Sequence, residues 1–323
     1  SNDRYAPYTQ QGGLDEDETT AYDNNIYSPT GNVDEFNYIY NYVSYSAGLN
    51  FKLSNDFSIF SRFSNGNKAP ELNYYFNNFS NVPINKKGEV QKITQIEAGI
   101  KFNSKKISFT GTVFWSELKN IGTTNFEYDE DEGKIFYTPF LFNTSRTVGF
   151  EWENIFTPID FFSFQFNGVI QNPKATKWLE YDASGTVDPG DDIIYDYSGN
   201  TLAFNPKLML NVGATYQKNK FSSFLKWQFM GNREGNASNG FQLNSYSVFN
   251  AGLGYQIDKN WSLDLLINNL FNSTGLANFF GENSFGSNSS GSTPDFIQAN
   301  PDASFVVVPI LPRSSLLKVN YIF

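Results

Sequence analysis

The chain has 323 residues, an aromatic content of 18%, no cysteine, no histidine and a formal charge of -10. Its mean hydropathy is -0.42, and no apolar run reaches the ~18 residues that a transmembrane helix needs. The acidic balance leaves no basic footprint for nucleic acid. Lack of histidine and cysteine removes the commonest general base and the thiol nucleophile, so we predict that the protein is not an enzyme.

From Val43 onward, apolar and polar residues alternate at period two, which is the pattern of a β-strand with one apolar face. The predicted strands are joined in turn by long polar segments, the first running from Asn65 to Gln91, and by short turns. We place the short turns at Ser54–Asp56, Asn103–Lys106, Thr157–Asp160, Lys218–Lys220 and Asp258–Asn260. Strict alternation of short turns with long loops is typical of outer-membrane β-barrels, and it disfavours the alternative of a soluble β-sandwich.

The last predicted strand, Leu316–Phe323, shows the pattern most clearly. Leu317, Val319, Tyr321 and Phe323 fall on one face, whereas Lys318 and Asn320 fall on the other. An apolar face that ends in aromatic residues is typical of a lipid-facing strand at the membrane edge. Counting about eleven strands, we predict an all-β fold, a transmembrane antiparallel β-barrel whose short turns and C-terminus are periplasmic.

Several stretches resemble the C-terminal barrel half of TonB-dependent outer-membrane receptors. Ile59–Leu72 resembles an aromatic-rich strand followed by Gly-x-Arg-Ala-Pro, with Lys68 where arginine is usual. The other matching stretches are Gln95–Lys101 (Glu-x-Gly-x-Lys), Arg146–Glu151 (Gly-x-Glu), Asn268–Asn272 (Asn-Leu-Phe-Asp, with Asn272 for Asp), Pro312–Arg313 and the terminal Phe323. Their order and spacing extend over residues 37–323.

The resemblance implies the second half of a barrel of about 22 strands, with the plug domain and first barrel strands absent from this sequence. Residues 1–36, which show no periodic pattern, would be an extracellular loop or arm, and residues 37–323 the C-terminal portion of the barrel. A complete small barrel is the alternative. An odd strand count also argues for a missing part, because closed antiparallel barrels have even numbers of strands.

The implied function is active import across the bacterial outer membrane. The receptor would bind a small nutrient ligand, a siderophore or an oligosaccharide, at extracellular loops. It would take the ligand up with energy from the TonB–ExbB–ExbD complex, which it contacts through the missing N-terminal part. Outer-membrane lipids would surround it. The alternative is a passive porin, or a structural barrel that docks a surface lipoprotein or another envelope complex.

Aromatic residues in the predicted long loops could stack on catechol rings or sugar faces, or else pack the loops together. The ligand-binding candidates are Tyr74, Tyr75, Phe76, Tyr128, Tyr137, Trp178, Tyr181, Arg233, Phe279 and Phe280. An anionic siderophore would be attracted by cations near the predicted strand ends, namely Arg62, Lys68, Lys177 and Arg233. Acidic loops elsewhere favour a neutral ligand such as an oligosaccharide.

Two acidic loops contain enough carboxylates to bind Ca²⁺: one runs from Asp15 to Glu18, and the other holds Asp188, Asp191 and Asp192. Neither has EF-hand spacing, so we favour solvated charge and predict no resident metal or cofactor. Absence of histidine also removes the commonest axial haem ligand.

Overall fold

The computed structural model describes residues 38–70, 87–123, 126–129, 134–137, 141–182, 193–279, 293–299, 301 and 307–322. Of residues 126–129, 134–137, 181–182 and 279 it describes the backbone alone. Within these ranges, no helix is long and apolar enough to span a bilayer.

Eleven long strands form the main sheet. They are β1 (Tyr45–Lys52), β2 (Phe57–Lys68), β3 (Gln91–Asn103), β4 (Ile107–Thr123), β7 (Leu141–Ile159), β8 (Phe162–Lys177), β11 (Leu208–Lys218), β12 (Phe221–Met230), β15 (Tyr246–Gln256), β16 (Trp261–Asn268) and β19 (Ser314–Tyr321). The sheet is antiparallel, and each strand pairs with its neighbours in this order. Among the described residues, the edge strands β1 and β19 each pair with one strand only. The all-β fold and the count of eleven strands are therefore confirmed.

In the described part of the chain, short hairpins and a helix occupy the long connections between the main strands. The hairpins are β5 (Phe126–Asp129) with β6 (Lys134–Tyr137), β9 (Leu179–Asp182) with β10 (Ile193–Asp196), β13 (Arg233–Glu234) with β14 (Gln242–Leu243), and β17 (Leu276–Phe279) with β18 (Val307–Pro309). Helix α1 (Pro294–Ala299) lies between β17 and β18 in the chain. These additions all lie at one end of the sheet, which we call the long-connection end.

The alternation of short turns and long connections is confirmed, although some predicted boundaries were wrong. The third turn is Asp160–Phe161 rather than Thr157–Asp160, because β7 continues to Ile159 through a register shift after Phe156. Likewise Asn65 to Lys68, predicted to lie in a loop, continue β2. Their side chains are polar, but the backbone ladder to β3 is unbroken as far as the pair Lys68 and Gln91.

The last short turn is held by a side chain. The backbone N–H groups of Asn260 and Trp261 donate to the Asp258 carboxylate at 2.8 and 3.0 Å. These two hydrogen bonds favour the charged form, and they hold the pKa of Asp258 below its ordinary value. The motif fixes the turn between β15 and β16, so the register of both strands follows from it.

The sheet has one apolar face that is exposed over most of its area. Its exposed side chains include Leu49, Ile100, Val113, Val148, Phe150, Ile170, Leu225, Leu253, Leu317, Val319 and Tyr321. Of the residues that the structure describes, few apolar side chains are buried: Ala175, Leu243 and the prolines Pro173 and Pro206. A β-sandwich would bury such a face against a second sheet, so this alternative does not fit. Phe323, the last residue of the predicted row, lies outside the described residues.

On the opposite, polar face, aromatic rings cover glycines of the neighbouring strand. A Cβ built on Gly99 would lie 2.7 Å from the Phe60 ring, and one on Gly149 would lie 2.5 Å from the Phe114 ring. The Lys101 ammonium stands 4.8 Å from the centre of the Phe60 ring. Packing of a ring over a cross-strand glycine gives these strands a fixed register without a buried core.

Candidate ligand-binding loops

Asparagine side chains fix the loops at the long-connection end. Asn143, at the start of β7, is completely buried. Its amide donates to Thr123 Oγ1 at 2.8 Å and to the Leu179 carbonyl at 3.0 Å, and its oxygen accepts from the Leu179 N–H at 2.8 Å. The side chain thus pairs with the backbone of β9 as another strand would, and it anchors the β9–β10 hairpin to the main sheet.

A second asparagine joins two different long connections. The Asn239 amide donates to the Thr201 carbonyl at 2.8 Å, and its oxygen accepts from the Thr201 N–H at 2.9 Å. The Asn200 amide donates to the Ala237 carbonyl at 2.9 Å in the same contact. Side-chain hydrogen bonds therefore join the connection before β11 to the connection after β12.

We expect Asn239→Gly to separate these two connections. Asn239 has a φ of 56°, a conformation that glycine adopts freely, so the substitution removes the side-chain bonds without adding backbone strain. The hydrogen bonds at Thr201 would be lost, with a local cost of about 2 kcal/mol. Amide hydrogen exchange at Thr201 should accelerate roughly thirtyfold, whereas Asn205→Ala, which removes only a local exposed contact, should leave it unchanged. Equal exchange in Asn239→Gly and the parent would contradict the assignment.

The last long connection is fixed by the motif Asn268–Asn272. Asn269 is buried, has a φ of 48°, and donates to the carbonyls of Ser273 at 2.9 Å and Leu311 at 3.0 Å. The Asn272 oxygen accepts from the Arg313 N–H at 2.9 Å. The motif therefore turns the chain out of β16 and holds the segment that leads back into β19.

Arg233, a predicted ligand-binding residue, lies inside the loop structure. It is 6% exposed, donates from Nη2 to the Leu276 carbonyl at 2.5 Å, and its guanidinium carbon lies 5.4 Å from the centre of the Tyr246 ring. The contacts join β13 to β17. Arg62, another predicted attractor of anions, is paired with Glu97 at 3.3 Å on the polar face.

The described aromatic side chains of the β9–β10 hairpin region form a patch, which we define as Trp178, Tyr195 and Tyr197. The rings of Tyr195 and Tyr197 stack with 6.0 Å between centroids and 10° between planes. Trp178 Nε1 donates to Glu180 Oε1 at 2.9 Å, and its carbonyl accepts from the Tyr197 N–H at 2.8 Å. All three aromatic residues remain partly exposed.

Carboxylates accompany this aromatic patch. The hydroxyl and N–H of Ser198 hydrogen-bond to Asp196 and hold the pKa of that carboxyl below its ordinary value. Because the pKa is lowered by folding, this stabilisation is present above the ordinary value of 3.8 and is lost as the pH falls through the lowered one. Glu180 is the cross-strand partner of Tyr195, whereas Asp196 is the partner of Leu179 and lies on the other face of β10.

The remaining predicted site residues lie outside what the structure describes at side-chain level. Tyr128, Tyr137, Tyr181 and Phe279 lie on the hairpin strands β5, β6, β9 and β17, where only the backbone is described. The residues outside the described ranges altogether are Tyr74, Tyr75, Phe76, Phe280, Asp188, Asp191 and Asp192. Asn143 and Asn239 were missed, because in an Asn-rich chain no sequence signal separates an asparagine that anchors a loop from one that does not. The motif Asn268–Asn272 was found only as a family resemblance.

Below the loops, the polar face contains a concavity of about 470 Å³. It is lined by Glu151 and Glu153 of β7, Asn167 of β8, Asn211 of β11, Gln228 of β12, and Ile310 from the segment before β19, among others. Among the described residues that line it, the polar side chains are mainly carboxylates and amides, with no lysine or arginine, and they lie beside apolar side chains such as Met209, Leu210 and Phe229. The lining suits hydroxyl-rich or water-bridged contacts better than an anion.

The sequence model of the family described as "TonB dependent receptor-like, beta-barrel" matches residues 4–270. The siderophore receptor PiuA from Acinetobacter baumannii is 20% identical, with a TM-score of 0.62 over 87% of this chain and 36% of that one. The ferric yersiniabactin uptake receptor FyuA from Yersinia pestis is 15% identical, with a TM-score of 0.61 over 86% and 37%. The ferric-catecholate import receptor Fiu from K12 E. coli, in its closed form, is 19% identical, with a TM-score of 0.56 over 86% and 34%.

At these identities the structural similarities show the fold alone, and the chain spans only about a third of the length of each structure. No curated protein matches the chain. The family match, however, covers most of the sequence, and the exposed apolar face, polar opposite face and alternating connections agree with it. The chain belongs to the TonB-dependent receptor β-barrel family.

Proposed function

We propose that this chain is the barrel portion of an outer-membrane import receptor that captures a nutrient at its long-connection end. Family membership supports a receptor rather than an enzyme. The TonB–ExbB–ExbD complex would supply the energy through a part of the protein outside this chain. In this orientation the long-connection end is extracellular, and the short turns and the C-terminus are periplasmic.

The observation that carries the choice of ligand is the aromatic patch. Its partly exposed rings suit a neutral, hydroxyl-rich ligand, because sugar faces stack on rings. The carboxylates and amides of the concavity can bond to the hydroxyls of such a ligand. Two of the four cations that would attract an anionic siderophore are otherwise engaged: Arg233 is buried and Arg62 is paired with Glu97. We therefore favour an oligosaccharide over an anionic siderophore.

A full-length receptor that contains this chain tests the proposal. Mass spectrometry of the co-purified ligand should identify a neutral oligosaccharide, and titration calorimetry should show that Trp178→Ala weakens its binding about tenfold through lost ring contact. Trp178→Phe keeps a ring and should lose less. Trp261→Ala, which changes a tryptophan next to the short turn Asp258–Asn260, should leave binding unchanged.

Two outcomes would overturn the proposal. Binding of a ferric tris-catecholate complex, with no binding of oligosaccharides, would show that the ligand is an anionic siderophore. Uptake by whole cells that is insensitive to a protonophore would replace the active importer with a passive porin, since energy supplied through the TonB–ExbB–ExbD complex depends on the proton gradient.

A further inference from the structure

The apolar face changes its chemistry abruptly toward the long-connection end. Register places Ile96 of β3, Trp115 of β4 and Val148 of β7 in one row of this face, which Asn172 of β8 completes. The next row on the same face contains Thr94, Glu117, Arg146 and Lys174. The row beyond it contains Lys92, Lys119 and Thr144. We call Lys92, Lys119, Arg146 and Lys174 the basic rows.

Cations of the basic rows stand directly opposite one another. Lys92 is the cross-strand partner of Lys119, and Arg146 is the partner of Lys174. Like charges in direct cross-strand pairs destabilise a sheet, so this arrangement is costly unless an anion lies between them. It is also unexpected in a chain whose formal charge is -10.

The described residues of these rows offer a single carboxylate to the four cations. Glu117 lies 2.9 Å from the Lys119 ammonium, and it is also the cross-strand partner of Arg146. The Lys174 ammonium donates to the Gly199 carbonyl at 3.0 Å, which orients it without neutralising it. The Lys119 side chain is 51% exposed, and Arg146 is exposed too. An excess of positive charge therefore faces outward.

The position of the basic rows along the strands, just beyond the apolar side chains, identifies the partner that they bind. Arg146 is two residues beyond the exposed Val148, which corresponds to about 7 Å along a strand. Acyl chains that cover Val148 and Ile170 would thus bring a headgroup level with the cations. An aromatic side chain, Trp115, marks the boundary, as expected at a membrane interface.

We propose that the basic rows bind the phosphate of a lipid headgroup in the outward leaflet of the membrane. The inference rests on the proposed function for its orientation, which places the long-connection end outside. A phosphate between Lys119 and Arg146 accepts charge-assisted hydrogen bonds from both and relieves the repulsion within each like-charge pair. Lipid contact at this edge would also hold the start of β7, where Asn143 anchors the β9–β10 hairpin.

Native mass spectrometry of the full-length receptor, with lipid A as the probe, tests this proposal. The receptor should retain phosphorylated lipid A and bind enzymatically dephosphorylated lipid A about tenfold more weakly, since each cation near an anionic surface strengthens attachment. The double variant Lys119→Gln/Arg146→Gln should lose the same preference. The matched double variant Lys52→Gln/Lys226→Gln removes equal charge from the polar face and should retain it.

Equal retention of both lipid forms by the parent, or an unchanged preference in Lys119→Gln/Arg146→Gln, would overturn the inference. Capture of an acidic protein in place of lipid would also overturn it. Nutrient uptake is measured on the same variants: intact uptake with lost lipid preference supports the lipid site alone. A protease-accessibility assay that places the long-connection end in the periplasm would instead overturn the orientation, and with it the proposed function.

Discussion

Gly99→Ala is expected to destabilise the barrel by about 3 kcal/mol or to prevent its assembly. A Cβ at this position would lie 2.3 Å from the Gly111 carbonyl oxygen and 2.7 Å from the Phe60 ring. Side chains at the end of flexible stems can move away, but the Gly111 oxygen belongs to the neighbouring strand β4. The sheet would have to open locally, and the ladder between β3 and β4 would lose hydrogen bonds.

Gly213→Ala is the matched control, because Gly213 also lies in the middle of a strand and on the polar face. The nearest atoms to a Cβ there are 3.7 Å away, in the Gln165 side chain, so an alanine fits at ordinary contact distance. We expect no loss of stability, or a gain of about 0.5 kcal/mol, because glycine is entropically costly in a strand. The comparison holds residue type and face constant and varies the space around the added Cβ.

The midpoint of denaturant-induced unfolding, followed by tryptophan fluorescence of the full-length receptor in detergent micelles, measures both variants. A second substitution separates the contact with the Phe60 ring from the contact with the Gly111 oxygen. Phe60→Ala should not restore the stability of Gly99→Ala, since the backbone oxygen remains. At Gly252 the nearest atoms all belong to the Phe224 ring, so Phe224→Ala should restore the stability that Gly252→Ala loses. Equal stability of Gly99→Ala and Gly213→Ala would contradict this prediction, because it would show that β4 moves away from the added Cβ without a loss of stability.

The same contacts explain why one sequence motif resembles the family so closely. In the stretch Gln95–Lys101, Glu97 pairs with Arg62, Gly99 receives the Phe60 ring, and Lys101 stands over that ring. The Glu-x-Gly-x-Lys pattern therefore places three contacts in succession along one face of β3, all with β2. Such a pattern can be read from sequence because it is local and periodic.

Strand boundaries and loop contacts could not be predicted in this way. Period-two patterning ends where the apolar face ends, but the backbone ladder continues through polar residues such as Asn65 and Asn67, so β2 is longer than its pattern. The role of Asn239 depends on Thr201, which belongs to another connection. No periodicity links such residues, because the contact is made by two loops that meet only once the sheet has formed.

Asn143→Ala should release the β9–β10 hairpin while leaving the main sheet intact. The substitution leaves the Leu179 N–H and carbonyl, and Thr123 Oγ1, without the partner that Asn143 provides. Each buried group left unsatisfied costs about 1 kcal/mol or more, so the hairpin should lose about 3 kcal/mol of local stability. Amide exchange at Leu179 should then accelerate by roughly 100-fold, whereas exchange in β3 and β4 should not change.

Asn143→Asp distinguishes the two halves of the contact. The aspartate keeps an oxygen that can accept from the Leu179 N–H, but it loses the donors to Thr123 and to the Leu179 carbonyl. Exchange at Leu179 should therefore lie between those of the parent and Asn143→Ala. Asn205→Ala, at an exposed asparagine, should behave as the parent, and unchanged exchange at Leu179 in Asn143→Ala would show that the hairpin is held by other contacts.

The consequence extends to ligand capture, because Leu179 follows Trp178 directly. If Asn143 holds the hairpin, its loss frees the aromatic patch to adopt many orientations. Ligand binding must then order the patch, which costs conformational entropy. Affinity should fall in Asn143→Ala even though no ring is removed, and the loss should be mainly entropic in calorimetry. Trp178→Ala should instead lose the contact itself. Asn143 would thereby control binding without contacting the ligand, because it keeps the β9–β10 hairpin and its aromatic patch rigid.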